Sequence, residues 1–298
     1  MRETTRAAIR AAGLDLADLE RVVGQALAED VGGDGEDVTS AATIPPDARA
    51  SGDFVVRGTG VIAGMPVLAA TLELALGDDA GYELLARDGD PVARGAIVAT
   101  VTAPARALLQ TERVALNLLC RLSGIATATH RWVVALDGTG ARVRDTRKTT
   151  PGLRLLEKYA VRCGGGVNHR VGLHDAVLIK DNHVLAAGGV GAALDAVHAA
   201  VDDRGVVVQT EIDRLDQLDE AIAHGAGQIL LDNMSLDELR LAVDRARTLA
   251  PGVLLEASGG LTLERAREVA ETGVDFIAVG AITHSAGILD IALDLRTP

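Results

Sequence analysis

The sequence predicts an α/β protein whose second part is an open (β/α) barrel of about six parallel strands, two short of a closed eightfold barrel. Three observations predict it. Beyond Gly140, short apolar runs alternate with helical stretches in the rhythm of βαβ units. The runs are continuously apolar, as parallel strands buried on both faces are. Each run ends in polar residues or glycine, and parallel barrels carry their chemistry at that C-terminal rim.

The first part of the chain reads as mixed α and β. Residues 15–28 place apolar side chains at helical spacing and end in an acidic, glycine-rich stretch from Glu29 to Asp37, which reads as a solvated loop. Strand-like pieces follow at 50–57, 60–64, 81–87 and 96–102, with a helix at 66–76 opened by Pro66. Gly58-Thr-Gly60-Val-Ile-Ala63 fits a loose dinucleotide fingerprint, but β-like residues follow Gly60, so a tight turn between strands is the better reading. A long helix at 106–136 leads into the second part. There the strands are Arg142-Val-Arg144, Ala176-Val-Leu-Ile179, Val206-Val-Val208, Gln228-Ile-Leu-Leu231, Val253-Leu-Leu255 and Phe276-Ile-Ala-Val279. Helices are expected at 152–161, 190–202, 214–224, 235–249, 262–272 and 285–295.

Composition narrows the function. The chain has 298 residues, 48% of them hydrophobic, enough to bury one large α/β domain and a smaller one. Cys120 and Cys163 are the only cysteines and form no Cys-x-x-Cys pair, which fits a reducing compartment and argues against a structural zinc site. No apolar run reaches the ~18 residues of a membrane helix, and the N-terminus lacks the apolar core of a signal peptide. A cytoplasmic protein without a membrane partner is expected. With a formal charge of −13 and five aromatic residues, the chain lacks the field and the stacking platforms that nucleic acid requires.

Charge distribution is more informative than net charge. Residues 141–183 hold nine Lys or Arg against four Asp or Glu, a basic island in an acidic protein that suggests a small anionic ligand in a pocket. Lys148, Lys158 and Lys180 are the only lysines beside 26 arginines, and all three lie in that island. A chain that otherwise uses guanidinium groups has a reason to place a compact ammonium at a site. Lys158, on a helix beside Glu157, reads as surface, and Trp132 as packing.

The rim loops supply the candidate chemistry. Asp145-Thr-Arg-Lys148 follows the first strand, Lys180-Asp-Asn-His183 the second, Gln209-Thr-Glu211 the third and Asp232-Asn233 the fourth. Ser258-Gly259-Gly260 and Gly280-Ala281 follow the last two, where such barrels bind phosphate and small residues let backbone N–H groups approach an anion. Arg147, Lys148, His169, Arg170 and Lys180 would form a cationic wall facing Glu211 and Asp232. That arrangement suits an anionic substrate whose reacting centre becomes positive, as in phosphoribosyl transfer. Gly164-Gly165-Gly166 reads as a sharp loop. The histidines show no metal spacing such as His-Glu-x-x-His, and Arg113, within a helix, reads as surface.

Taken together, Asp145-Thr-Arg-Lys-Thr-Thr-Pro-Gly152, Glu157-Lys-Tyr-Ala160, Cys163-Gly-Gly-Gly166, Asn168-His-Arg170 and Leu178-Ile-Lys-Asp-Asn-His183 resemble quinolinate phosphoribosyltransferase, the nicotinate-nucleotide pyrophosphorylase family. The likeness continues through Thr210-Glu211, Leu231-Asp-Asn-Met234, Glu256-Ala-Ser-Gly-Gly260 and Val279-Gly280, essentially the whole chain. One departure is Glu36-Asp37-Val-Thr-Ser40, where the family has Gly-Asp before the Val/Ile-Thr-Ser.

The resemblance implies an N-terminal α/β sandwich over 1–112, with a C-terminal helix 286–298 packing on it, and an open barrel over 113–285. It implies a homodimer in which Arg113 enters the neighbouring site. Arg147, His169 and Arg170 would hold the two carboxylates of quinolinate, helped by Arg113; Lys148 and Lys180 would serve quinolinate and phosphoribosyl pyrophosphate; and Thr146 belongs to the substrate-binding set. Glu211 and Asp232 would address ribose hydroxyls and Mg2+, largely through substrate and water. Ser258, Gly259, Gly260, Val279, Gly280 and Ala281 would hold the 5-phosphate. The implied catalytic set is Lys148, Lys180, Glu211 and Asp232. Three alternatives stand beside it: a paralogous pyrophosphorylase-like protein acting on another anion, a Schiff-base lyase using Lys180 or Lys148, and a nucleotide-sensing dimer.

Overall fold

A computed structural model describes residues 1–32, 35, 37–201 and 205–296. In chain order the elements are α1 (Glu3–Ala11), α2 (Leu16–Val31), α3 (Val38–Thr43), β1 (Arg49–Val56), β2 (Gly60–Val61), α4 (Met65–Leu76), β3 (Gly81–Leu84), β4 (Pro91–Val92), β5 (Ile97–Pro104) and α5 (Ala105–Ala135). Then come β6 (Arg142–Arg144), α6 (Arg154–Cys163), β7 (Ala176–Ile179), α7 (Asp181–Ala187), α8 (Val190–Val201), β8 (Val207–Ile212), α9 (Asp216–Ala223), β9 (Gln228–Asp232) and α10 (Leu236–Leu249). The chain closes with β10 (Leu254–Ser258), α11 (Ala266–Ala270), β11 (Phe276–Ala278), α12 (Ala281–His284) and β12 (Ile291–Arg296). Two compact units result: Met1–His130 with Thr149–Gly165 and Ile282–Pro298, and Arg131–Lys148 with Gly166–Ala281. Among the described residues, no single helix is long and apolar enough to cross a membrane.

The first unit is built on an antiparallel sheet in the order β12-β1-β5-β3. Gly52, Phe54 and Val56 on β1 are buried at a spacing of two, the period of a strand covered on one face. Phe54, Val98 and Val101 join Leu68 and Leu72 of α4 and Leu108 and Leu119 of α5 in one apolar core. Fully burying each such side chain contributes about 1.5–3 kcal/mol. Pro66 sits in the first turn of α4, as expected. Asp88 accepts hydrogen bonds from the Gly64 and Met65 N–H groups at 2.8 and 2.9 Å, satisfying donors that the helix start leaves open, and also from the Tyr159 hydroxyl.

Several expectations for this unit are corrected. The helix expected at 285–295 is strand β12, paired antiparallel with β1. Ile291, Leu293 and Leu295 alternate with Ala292, Asp294 and Arg296, and β1 offers a free edge whose backbone needs a partner. Asp53 and Asp294 stand directly opposite each other, a repulsive pair offset by Arg57 on Asp294 and by Arg296 3.1 Å from Asp53. Lys158, expected on the surface, is only 1% exposed, next to the fully buried Glu157. That carboxylate accepts from Arg121 at 2.8 Å and from the Thr150 hydroxyl at 2.7 Å. The acidic stretch is not all loop: Glu29, Asp30 and Val31 finish α2, and Asp37 caps α3 by accepting from the Thr39 and Ser40 N–H groups. Gly33, Asp34 and Glu36 lie outside the described residues.

The second unit is the open barrel. Its six strands are all parallel, in the order β6-β11-β10-β9-β8-β7, so the first strand pairs with the last and the sheet is open between β6 and β7. A single parallel bridge, Arg144 to Val167, sits at that open edge. Register fixes which strand ends meet. Ile179 pairs with Thr210, which sets Lys180 beside Glu211, and Asp232 pairs with Ser258. Helices follow the strands as expected, with α7 as an unanticipated short addition directly after Lys180. A Ser235–Glu238 capping box starts α10.

Candidate active site

Every rim residue singled out from the second part of the sequence belongs to this second unit. Asp145, just past the end of β6, is fully buried and accepts from the His169 N–H and the Asn168 side-chain amide, both at 2.7 Å. Thr146 Oγ1 accepts from the Lys148 N–H at 3.0 Å, closing a tight turn that leaves the Lys148 side chain exposed. His169 Nδ1 accepts from the Arg170 N–H at 2.7 Å, so the other ring nitrogen carries the proton and donates to Gln209 Oε1 at 2.8 Å.

The Arg170 guanidinium donates to the Ala176 carbonyl at 3.1 Å and lies within reach of the Arg147 charge. Arg170 is pushed below its ordinary arginine value, first by burial and then by the charge of Arg147, with Asp175 opposing. Cations gathered in a partly desolvated place favour an anionic ligand there.

Opposite in sign are the two acids of the third and fourth strands. Lys180 Nζ lies 3.3 Å from Glu211 Oε2. Burial raises Glu211 above the usual carboxylate range; Lys180 pulls it down, while Asp232 and Asp181 push it further up. Asp232 accepts from the Asn233 side-chain amide at 2.6 Å. Asn233 is the one non-glycine among the described residues with positive φ, at 55°, and its N–H donates to the Ser258 carbonyl at 2.9 Å. A left-handed backbone in a non-glycine residue is uncommon and clusters at functional sites.

The phosphate-type loops are close-packed. Gly259 has φ +101°, and a Cβ there would fall 2.1 Å from Asn233 Oδ1, so only glycine fits. The Val279 N–H donates to the Arg144 carbonyl at 2.8 Å, tying the end of β11 to β6, and Gly280 and Ala281 follow it. Arg113 lies in the other unit, on α5, with 61% of its side chain exposed and a loose 3.9 Å ion pair to Glu112.

Residues not singled out as functional also lie here. Glu256, in the middle of β10, is 1% exposed, and its Oε2 accepts from Arg144 Nη1 at 2.7 Å. Its Oε1 stands 3.6 Å from His169 Nε2 and makes no hydrogen bond of normal geometry. Burial raises Glu256, against the pull of Arg144. Gln209 is likewise buried, between His169 and the sheet. The strands expected to end at Val208 and Leu255 run on to Ile212 and Ser258, which puts both polar residues inside a strand and not in the rim after it.

Among the described residues no group of three or more His, Cys, Asp or Glu is placed to hold a metal ion. Glu211 and Asp232 are hard oxygen donors, a pair that suits Mg2+ sharing its coordination with phosphate and water.

Comparison with known proteins decides the family. Residues 37–123 match the quinolinate phosphoribosyl transferase N-terminal domain and residues 125–294 its C-terminal domain. The chain belongs to the quinolinate phosphoribosyltransferase family. Among relatives in that family, the nicotinate-nucleotide pyrophosphorylase [carboxylating] of Mycobacterium leprae is 53% identical over 263 residues, covering 88% of this chain and 92% of the relative. A probable nicotinate-nucleotide pyrophosphorylase [carboxylating] from Bacillus subtilis is 42% identical, covering 93% of each. The solved nicotinate-nucleotide pyrophosphorylase of Francisella tularensis superposes with a TM-score of 0.89 at 36% identity, covering 95% of this chain and 98% of that one. As a quinolinate phosphoribosyltransferase family member, the chain is an enzyme of the phosphoribosyltransferase class.

Proposed function

We propose that the chain transfers the phosphoribosyl group of 5-phosphoribosyl 1-pyrophosphate to the ring nitrogen of quinolinate. The products are nicotinate mononucleotide, pyrophosphate and carbon dioxide, the quinolinate-consuming step of NAD biosynthesis. The observation that carries this reading is the gathering on one barrel rim of the cations Arg147, Arg170 and Lys180 with the Lys180–Glu211 and Asp232–Asn233–Ser258 contacts. A dicarboxylate matches the first and a sugar phosphate the others.

Each residue's role follows from its charge and place. Arg147 and Arg170 bind and orient the ring carboxylates, with Thr146 and His169 shaping that side. Lys148 and Lys180 neutralise carboxylate and pyrophosphate charge. Glu211 and Asp232 orient the ribose hydroxyls and stabilise positive charge at the anomeric carbon as the bond to pyrophosphate breaks and the ring nitrogen attacks. Ser258, Gly259, Gly260, Gly280 and Ala281 line the 5-phosphate with small side chains and backbone N–H groups, and Val279, whose own N–H is bonded to the Arg144 carbonyl, fixes the start of the second loop. Mg2+, when bound near Glu211 and Asp232, offsets pyrophosphate charge and improves it as a leaving group. Once the ring nitrogen is quaternised, the adjacent carboxylate leaves as carbon dioxide, the electron pair stays on the ring carbon, and that carbon takes a proton.

The assembly we propose is a homodimer in which the exposed Arg113 of one subunit completes the carboxylate side of its partner's site. A Schiff-base lyase fits less well: Lys180 is 48% exposed and engaged with a carboxylate, not set in the apolar pocket that activates such lysines. The test is the formation of nicotinate mononucleotide and carboxyl-labelled carbon dioxide from quinolinate, phosphoribosyl pyrophosphate and Mg2+. Turnover that disappears on chelation and in Lys148→Ala and Glu211→Ala is expected. No product from the folded wild type, or near-normal rates in either variant, overturns the assignment.

A further inference from the structure

The interior of a parallel barrel is ordinarily filled by branched apolar residues, yet β10 places a carboxylate there. Glu256 pairs across the sheet with Leu230 on one side and Phe276 on the other. A buried ion pair is rarely the cheapest way to fill a core, since apolar residues of similar volume are often as stable or more so. The location of Glu256 therefore calls for an explanation beyond packing.

Its contacts supply one. On one oxygen Glu256 holds Arg144, whose guanidinium also lies 4.1 Å from the centre of the Phe276 ring. Arg144 is the last residue of β6, immediately before Asp145-Thr146-Arg147-Lys148. The other oxygen faces His169, which Gln209 also grips from the same side. His169 in turn accepts the Arg170 N–H and donates its own N–H to Asp145. Of the two segments that carry Arg147 and Arg170, 146–148 is thus tied to the buried carboxylate through Arg144, and 168–170 faces its second oxygen through His169, which Gln209 holds in place.

We propose that Glu256 is a positioning residue for the carboxylate-binding side of the site, acting through Arg144 and through the Gln209–His169 contact to hold Arg147 and Arg170 in register. The inference rests on the quinolinate reading above, and it weighs on the two substrates unequally: the segments carry Thr146, Arg147, His169 and Arg170, assigned to quinolinate, with Lys148 alone shared, and include none of the loops after β10 and β11 assigned to the 5-phosphate.

Steady-state kinetics of Glu256→Gln, which keeps volume and removes charge, with both substrates varied, tests it. The expected result is a rise in KM for quinolinate of about ten- to hundredfold, as small misplacements of binding groups produce, with KM for phosphoribosyl pyrophosphate within about twofold of wild type. Gln209→Met leaves the Arg144–Glu256 pair in place, releases His169, and is expected to raise KM for quinolinate in the same selective way. Should Glu256→Gln fail to fold, the Gln209 variant decides. Unchanged quinolinate KM in a folded variant, an equal rise for both substrates, or collapse of both variants overturns the proposal, the last by assigning the network to the core alone. Activity of the wild type keeps this outcome separate from the functional assignment, which fails only if wild type makes no product.

Discussion

Gly259→Ala, compared with Gly260→Ala next to it, tests how tightly the fourth and fifth strands are coupled. Both glycines have positive φ, so a side chain at either strains the backbone by about 1–2 kcal/mol. They differ in what the new Cβ meets. At Gly260 nothing lies within 4 Å, and the backbone term is the whole cost. At Gly259 the Cβ would fall 2.1 Å from Asn233 Oδ1 and 2.8 Å from its backbone nitrogen, so Asn233 must retreat by roughly 1 Å. Asn233 cannot do so freely, because its amide is bonded to Asp232 and its N–H to the Ser258 carbonyl. Losing the hydrogen bond to the carboxylate adds about 1.5–3 kcal/mol. The expected loss of stability is therefore about 2.5–5 kcal/mol for Gly259→Ala and about 1–2 kcal/mol for Gly260→Ala, read by urea unfolding. The Gly259 variant should also lose kcat, because Asp232 is no longer held. Equal midpoints in the two variants would refute the coupling.

Three further outcomes are expected. Removing charge from Glu157 by Glu157→Gln leaves Arg121 without its counter-ion in a largely buried place; a loss of about 3–5 kcal/mol by denaturant titration is expected, and a loss below about 1 kcal/mol would show the pair to be dispensable. In Lys180→Met, Glu211 keeps burial, Asp232 and Asp181, all of which raise it, and loses the ammonium that lowers it. Its titration, followed by carboxylate NMR with Glu211→Gln for assignment, should move to higher pH, and an unmoved or lower midpoint contradicts the ion pair. If the proposed homodimer shares its sites, Arg113→Ala and Lys148→Ala, each inactive alone, should recover about a quarter of wild-type activity when mixed as subunits, because half the dimers would then carry one intact site; failure of mixed, exchanging subunits to recover activity argues for a site completed within one subunit.

The barrel strands were legible because burial on both faces makes them continuous apolar runs, and polar residues at their ends mark the rim in the sequence itself. What escaped was set by distant partners. Whether Ile291–Arg296 is helix or strand depends on the free edge of β1, more than two hundred residues earlier in the chain, and local spacing alone allowed both. Lys158 looked like a solvated helix position because charged residues usually are; its burial reflects how α6 packs within the first unit, which its neighbours in sequence do not reveal.

Register explains why the candidate site was recognisable as a set of residues but not as an arrangement. In a parallel sheet no tight turn fixes how one strand slides past the next, so alignment follows from the packing of the intervening helices. Pairing of Ile179 with Thr210 is what puts Lys180 against Glu211, and pairing of Asp232 with Ser258 is what lets Asn233 bridge an acid to a glycine loop. A slip of one residue in either pair would turn one of these groups to the opposite face of the sheet while leaving every apolar run intact. The polar residues inside the strands, Gln209 and Glu256, oppose such a slip, because each finds its partner only in the observed register. The buried charges that look costly as core are in this sense part of how the fold selects a single alignment of its rim.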